Sequence, residues 1–191
     1  MELNNKDCKN CPLFELRNCQ PLNGIGNLQS KIVFVFDAPS AEDDATGKSF
    51  SGQVARKLDG LLSKFGIHRS QVFMTYATRC RGNLRTEEGF RPPHFEEVQA
   101  CNEYLLAEIN QIKPNIIVTF GNEALWAITG NKKDKIGIFR GKEIWSQKFN
   151  CKVLPNLSDS FALGGNNARR AVAALECLLG ISLLPTIWAL P

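Results

Sequence analysis

Histidine is scarce in this chain, with two among 191 residues, and neither His68 nor His94 sits in a pattern that marks a catalytic base or a metal ligand. No apolar run is long enough to span a bilayer, and no basic stretch followed by an apolar one stands at the start. Membrane and secreted classes are therefore not expected, and a cytoplasmic setting is. In a reducing compartment the seven cysteines do not read as a disulfide framework, so they are metal ligands or simple thiols. Charge of one sign is not in excess either. The 23 Lys and Arg against 19 Asp and Glu leave a net +4, which suits a polyanionic partner without identifying one. Internal repeats and low-complexity segments are absent, and the length suits one domain with a substantial core.

What is present is an arrangement of cysteines. Cys8 and Cys11 form a close pair in Cys8-Lys9-Asn10-Cys11, while Cys80 and Cys101 flank a polar, proline-bearing insert. Four thiolates are enough to hold a [4Fe–4S] cube, and the same four suit a structural zinc ion. Four unrelated buried thiols are the plain alternative, since free Cys is among the most buried residue types. Cys19, Cys151 and Cys177 are left over, with Cys177 on the apolar face of a closing helix and Cys19 near enough to Cys11 to substitute as a ligand.

The pattern between the cysteines alternates strand and helix. Apolar, β-branched runs at Lys31 to Phe36, Gln71 to Thr78, Asn115 to Phe120 and Lys152 to Leu157 read as strands buried on both faces. Helical spacing is seen in Gln53 to Phe65, Glu96 to Ile112, Glu123 to Thr129 and Asn167 to Leu179, with Gly66 as a stop signal. The expected fold is α/β: a central, mostly parallel four-stranded sheet with helices on both faces, one domain over residues 1–180 and an apolar tail at 181–191.

The flanking residues carry a resemblance. Cys8-Lys9-Asn10-Cys11-Pro12-Leu13, Arg17 and Gly24-Ile25-Gly26-Asn27 resemble the opening of the iron–sulfur uracil-DNA glycosylases, family 4. Phe36-Asp37-Ala38-Pro39-Ser40-Ala41-Glu42-Asp43 is similar to that family's Gly-Glu-Ala-Pro-Gly motif and its trailing acids, and Gly47-Lys48-Ser49-Phe50-Ser51-Gly52 to its next loop. Arg79-Cys80-Arg81, Cys101, Pro114 to Ala124 and Arg140-Gly141-Lys142 follow in the right order. Each motif alone is weak, whereas the ordered set covering residues 8 to 180 is strong.

The resemblance implies a [4Fe–4S] cluster on Cys8, Cys11, Cys80 and Cys101, with DNA, single- or double-stranded, as partner. Such enzymes flip a base out of the stack into a pocket. Asp37, Asn156 and Ser158 take the catalytic positions. Phe50 takes the stacking position, and its loop of Ser and Gly is read as keeping it out of the core. Tyr76, Ala38, Pro39, Ser40 and Glu42 line the base, and Arg79, Arg81 and Ser160 lie toward the DNA backbone.

Three positions depart from the family. Asp37 is a methylene shorter than its Glu and follows a bulky residue; Tyr76 stands where an Asn reads the uracil edge; Ser158 and Asp159 stand where His-Pro ends the last loop. A phenol cannot supply the paired donor and acceptor of an amide. The insert between Cys80 and Cys101 is longer than the family's. Two functions are therefore expected in competition: a base glycosylase of altered specificity with weak uracil excision, or a catalytically inactive DNA-binding module that docks a protein partner through the tail at 181–191, Trp188 included. A monomer is expected in either case.

Overall fold

In a computed structural model of the chain, residues 7–63, 66–82, 91–139 and 142–156 are described. The expected helix at 167–179, the tail at 181–191, the boundary at 180, and Ser158, Asp159, Ser160 and Cys177 lie outside the described residues. In chain order the elements are α1 (Leu13–Leu16), β1 (Ile25–Gly26), β2 (Ile32–Phe36), α2 (Ala41–Thr46) and α3 (Gln53–Ser63). Then come β3 (Phe73–Tyr76), α4 (Phe95–Ile112), β4 (Ile116–Phe120), α5 (Asn122–Thr129), α6 (Ile136–Phe139), β5 (Ile144–Ser146) and β6 (Cys151–Asn156).

The strands form one sheet in the order β1-β3-β2-β4-β6-β5. Its four central strands are parallel, as the apolar runs predict, and all five residues of both β2 and β4 are buried. Two short edge strands, β1 and β5, pair antiparallel and make the sheet six-stranded rather than four. Neither was expected from the sequence, because two or three residues carry no readable alternation.

Period-two alternation divides the core. Phe34, Phe36, Met74, Tyr76, Val118 and Phe120 face one side, where Ala55, Leu58 and Leu62 of α3 cover them. Val33, Val35, Phe73, Ile117 and Val153 face the other, under Val98, Leu105 and Ile109 of α4 and Ala124, Ala127 and Ile128 of α5. Each fully buried side chain of this kind contributes about 1.5–3 kcal/mol, so a sheet covered on both faces is a rigid platform. Among the described residues no helix is long and apolar enough to cross a membrane.

Loops after the parallel strands collect at one end of the sheet, the end where such folds place their sites. The turn from β4 into α5 is the tightest of them. Gly121 has φ +101°, and a Cβ there would overlap the Asp37 carboxylate that follows β2. That carboxylate accepts a hydrogen bond from Ala124 N at 2.9 Å, in the first turn of α5. Gly121→Ala should therefore lower stability by about 2–4 kcal/mol, from strained backbone and forced repacking together. In thermal unfolding this is a fall of about 2–4 °C per kcal/mol for a chain of this size. An unchanged midpoint would mean that Asp37 does not lie against this turn.

Candidate functional site

Two loops meet over the end of β3, and a buried carboxylate joins them. Ser40 caps α2 with its hydroxyl on Asp43 N at 3.1 Å, while Asp43 Oδ2 accepts from Ser40 N at 3.0 Å. Asp43 Oδ1 accepts from Ser51 N at 2.7 Å and from Ser51 Oγ at 3.1 Å, across the next loop. Tyr76 completes the set, its hydroxyl donating to Asp43 Oδ2 at 3.2 Å and accepting from Phe50 N at 2.9 Å. Asp43 is 3% exposed, and a carboxylate that deep is tolerable only when hydrogen-bonded this fully. Burial, and then the neighbouring Asp43 charge, push the Tyr76 hydroxyl well above the ordinary phenol range.

Phe50 departs from expectation. It is 4% exposed and belongs to the core on the α3 side of the sheet. Its ring lies face to face with that of Tyr76, centroids 4.3 Å apart and planes 4° from parallel, with Phe36 edge-on at 5.3 Å. The Gly- and Ser-rich loop does not keep this side chain out of the core, because Tyr76 offers it a parallel surface to cover. Phe50 also has φ +52°, a left-handed conformation that costs a non-glycine residue about 1–2 kcal/mol. Bonds at both of its backbone groups hold it there, Phe50 N to Tyr76 and Phe50 O from Arg69 Nη1 at 2.9 Å.

The other predicted residues fall around this pair. Asp37 and Asn156 end neighbouring stretches of sheet on either side of β4, and Gly121 N donates to Asn156 O at 3.0 Å. Ala38 and Pro39 form the link from Asp37 to α2, and Arg81 reaches back to donate to Pro39 O at 3.0 Å. Glu42 lies outward: its carboxylate accepts from Gln53 N at the start of α3, at 2.5 Å, and pairs with Arg56 at 3.3 Å.

Arg79 is a correction to the sequence reading. Its guanidinium is buried, ion-paired with Glu108 at 2.6 Å, hydrogen-bonded to Asn23 and laid over the Tyr104 ring. A side chain 5% exposed is a bracket between β3 and α4, not a phosphate contact. Arg81, half-buried at the loop, is the member of the pair that stays near the surface.

A second constellation lies just beyond β3. Cys8, Cys11, Cys80 and Cys101 line one cavity with Leu13, Phe14, Pro21, Ala100 and Tyr104. Arg17 Nη1 donates to Cys80 Sγ at 3.8 Å, and Arg79 N to Cys101 Sγ at 3.3 Å. Burial pushes the Cys80 thiol up to about 11 and the Cys101 thiol up to about 12, and raises Cys11 as well. A cation bound here must therefore displace protons, and its charge would offset the burial of four thiolates. Among the described residues no three His, Cys, Asp or Glu side chains converge on a single ion. Four cysteines are the donor set of either a [4Fe–4S] cluster or a four-cysteine zinc ion. The apolar lining and the N–H···S donors fit either group.

Cys19 bonds instead toward Asp44, with Sγ 3.7 Å from Oδ1, and Cys151, the first residue of β6, is buried in the core on the α4 and α5 side of the sheet. Sequence reasoning missed Asp43 as the centre of the site and Glu108 as the partner of Arg79. The Ser40-to-Asp43 spacing is a helix-capping signal that marks the first; nothing local marks the second, 29 residues on from Arg79 by the numbering.

Comparison with known proteins gives a consistent outcome. A model of the uracil DNA glycosylase superfamily matches residues 23–177. A type-4 uracil-DNA glycosylase of Thermotoga maritima is 38% identical over 171 residues, which is 87% of this chain and 84% of that protein. One of the same name from Pyrobaculum aerophilum is 36% identical over 142 residues, 72% of this chain and 68% of that protein. A DNA polymerase of Bacillus phage SP01 is 30% identical over 142 residues, 73% of this chain but 15% of that protein.

Proposed function

The chain belongs to the uracil-DNA glycosylase superfamily, and from that premise we propose that it is a DNA-binding iron–sulfur protein directed at a base other than uracil, with ordinary uracil excision weak or absent. The observation that carries this reading is the commitment of Tyr76. Its ring lies on Phe50 and its hydroxyl is bonded to Phe50 N and Asp43, so no amide stands there to read a uracil edge.

In this reading Asp37 supplies the negative charge beside the reacting sugar. Its bond to Ala124 N holds the carboxylate at the N-terminus of α5. Asn156, and Ser158 beyond it, would contact the departing base. Cys8, Cys11, Cys80 and Cys101 would hold the [4Fe–4S] cluster, which when bound supplies a staple between the N-terminal segment and the end of β3 rather than redox work on the base. DNA affinity rests on phosphate contacts near Arg81 and the loop it braces, which position the strand without reading sequence.

A second reading is favoured by one comparison. A segment similar to most of this chain forms a small part of a protein named DNA polymerase, which suits a scaffold kept for binding inside replication machinery. The segment 181–191 would then dock a protein partner, and base removal would be absent altogether.

Protein purified without oxygen should be brown and hold about four irons and four sulfides per chain. Cys80→Ser and Cys101→Ser should each bleach it and reduce its solubility. A colourless protein with one zinc would overturn the cluster while sparing the ligand set.

DNA affinity should be independent of sequence and fall steeply with salt. Arg81→Glu should weaken it and reduce the slope of log K against log salt by about one. Absence of binding even in dilute buffer would exclude the nucleic-acid reading.

On oligonucleotides carrying uracil, excision should fall far below that of the family. Loss of one donor aimed at the developing charge costs about 10²–10³ in rate. A panel of modified bases, scored for alkali-labile abasic sites, separates the two readings: cleavage at any base supports the glycosylase, and tight binding with no cleavage supports the module. Robust uracil removal would overturn both.

A further inference from the structure

The polar groups around Tyr76 have a property independent of the tyrosine itself. Phe50 N presents a donor and Asp43 Oδ2 an acceptor, and one hydroxyl satisfies both. A ring bearing a carbonyl next to an N–H, as every pyrimidine lactam does, satisfies the same two groups with the same polarity. The Phe50 ring forms the floor of that space and Phe36 one wall. Aromatic pairs in protein cores favour offset or edge-to-face packing. The near-parallel approach of 4.3 Å and 4° is the arrangement in which a base lies on an aromatic side chain.

We propose that Tyr76 is a resident occupant of a base-sized seat. Its phenol lies on Phe50 in place of an extruded base, bonded to the donor and acceptor that would otherwise hold a lactam edge, and it sets specificity by keeping monocyclic pyrimidines out. The inference rests on the reading of these loops as the base-facing ones. Asp43 acts through Tyr76 and is a positioning residue: its carboxylate fixes both loops and the hydroxyl together. Two features make the occupant removable in principle without rebuilding the sheet. Tyr76 is the last residue of β3, and both loops are tied to each other through Asp43 without it.

The test uses the iron-loaded full chain and free small molecules, so it needs neither DNA nor activity. Binding of uracil, phenol and 1,3-dimethyluracil to the parent, Tyr76→Phe and Tyr76→Ala is measured by calorimetry and thermal shift. The parent and Tyr76→Phe should bind none of them at millimolar concentration. Tyr76→Ala should bind uracil and phenol at least tenfold more tightly than the parent, with 1,3-dimethyluracil, which has no N–H, at least tenfold weaker than uracil. A folded, brown Tyr76→Ala that binds neither, or a parent that binds uracil equally well, would overturn the inference. Should Tyr76→Ala not fold, the parent still decides. It has two tyrosines, and with labelled tyrosine the Tyr76 ring should show strong upfield shifts from Phe50 that saturating uracil leaves unmoved. A Tyr76 ring without such shifts, or one displaced by uracil, would overturn it. DNA affinity measured in the same proteins keeps the two claims apart. Loss of the seat with DNA binding intact sinks this inference alone, and absence of DNA binding in the parent sinks the functional reading while the seat remains measurable.

Discussion

The arrangement of the site depends on one buried carboxylate. Asp43 accepts hydrogen bonds from Ser40 N, Ser51 N, Ser51 Oγ and the Tyr76 hydroxyl, which joins a helix cap, a loop and the end of a core strand at a single point. Without it the loop at Ser49 to Gly52 keeps only the hydroxyl contact of Ser51 with Thr46 as a tie to α2, and Phe50 has less to hold it at positive φ. Leaving one of these donors unsatisfied in a dry site costs about 1–3 kcal/mol, and a carboxylate stripped of them is more expensive still. The network therefore holds the two loops in one arrangement, which is the condition for a rigid site.

The end of β3 couples this network to the cysteines. Tyr76 and Cys80 are four residues apart on one stretch of chain, whose pairing to β2 continues past the strand through Ala77 N to Phe36 O at 2.7 Å and Thr78 N to Asp37 O at 3.1 Å. Arg79, between them, locks that stretch to Glu108 of α4, and Glu108 is held in turn by Thr75 Oγ1 at 2.5 Å and Gly24 N at 3.1 Å. A cluster on the four cysteines would fix the same stretch from its other end. Anything that loosens the thiol cavity should then be felt at Tyr76, through backbone rather than through space.

Legibility in the sequence followed the range of the forces involved. The four parallel strands were readable because burial on both faces demands an unbroken apolar run, and α3, α4 and α5 because their periodicity is local; α1, α2 and α6 are too short to show one. The four cysteines stood out because ligand chemistry allows few residue types, and they line one cavity. The edge strands were not, being set by partners distant in sequence. Arg79 was misread for a related reason: a cation beside a metal site has the same local signature whether it meets phosphate or a buried glutamate, and only the packing of α4 decides. Phe50 was half-legible. Its loop and its aromatic character were evident, but the residue that covers it lies 26 positions away and was itself read as a contact to the base.

The energetics of that cover argue against uracil. A base stacking on Phe50 gains about 1–3 kcal/mol, but only after Tyr76 gives up a stack of comparable size. Tyr76 also loses two buried hydrogen bonds, each worth a net of about 0.5–1.5 kcal/mol. The lactam edge recovers those two bonds at best. The displaced phenol, however, must find a new place for a side chain now 1% exposed, and returning it to water forfeits about 1.5–3 kcal/mol of burial. The exchange is unfavourable before the cost of extruding the base from DNA, a few kcal/mol more, is added. Under the proposed reading, a base that the protein acts on would have to recover that deficit through contacts uracil lacks, so a substituent beyond the pyrimidine ring is the feature to seek in a substrate.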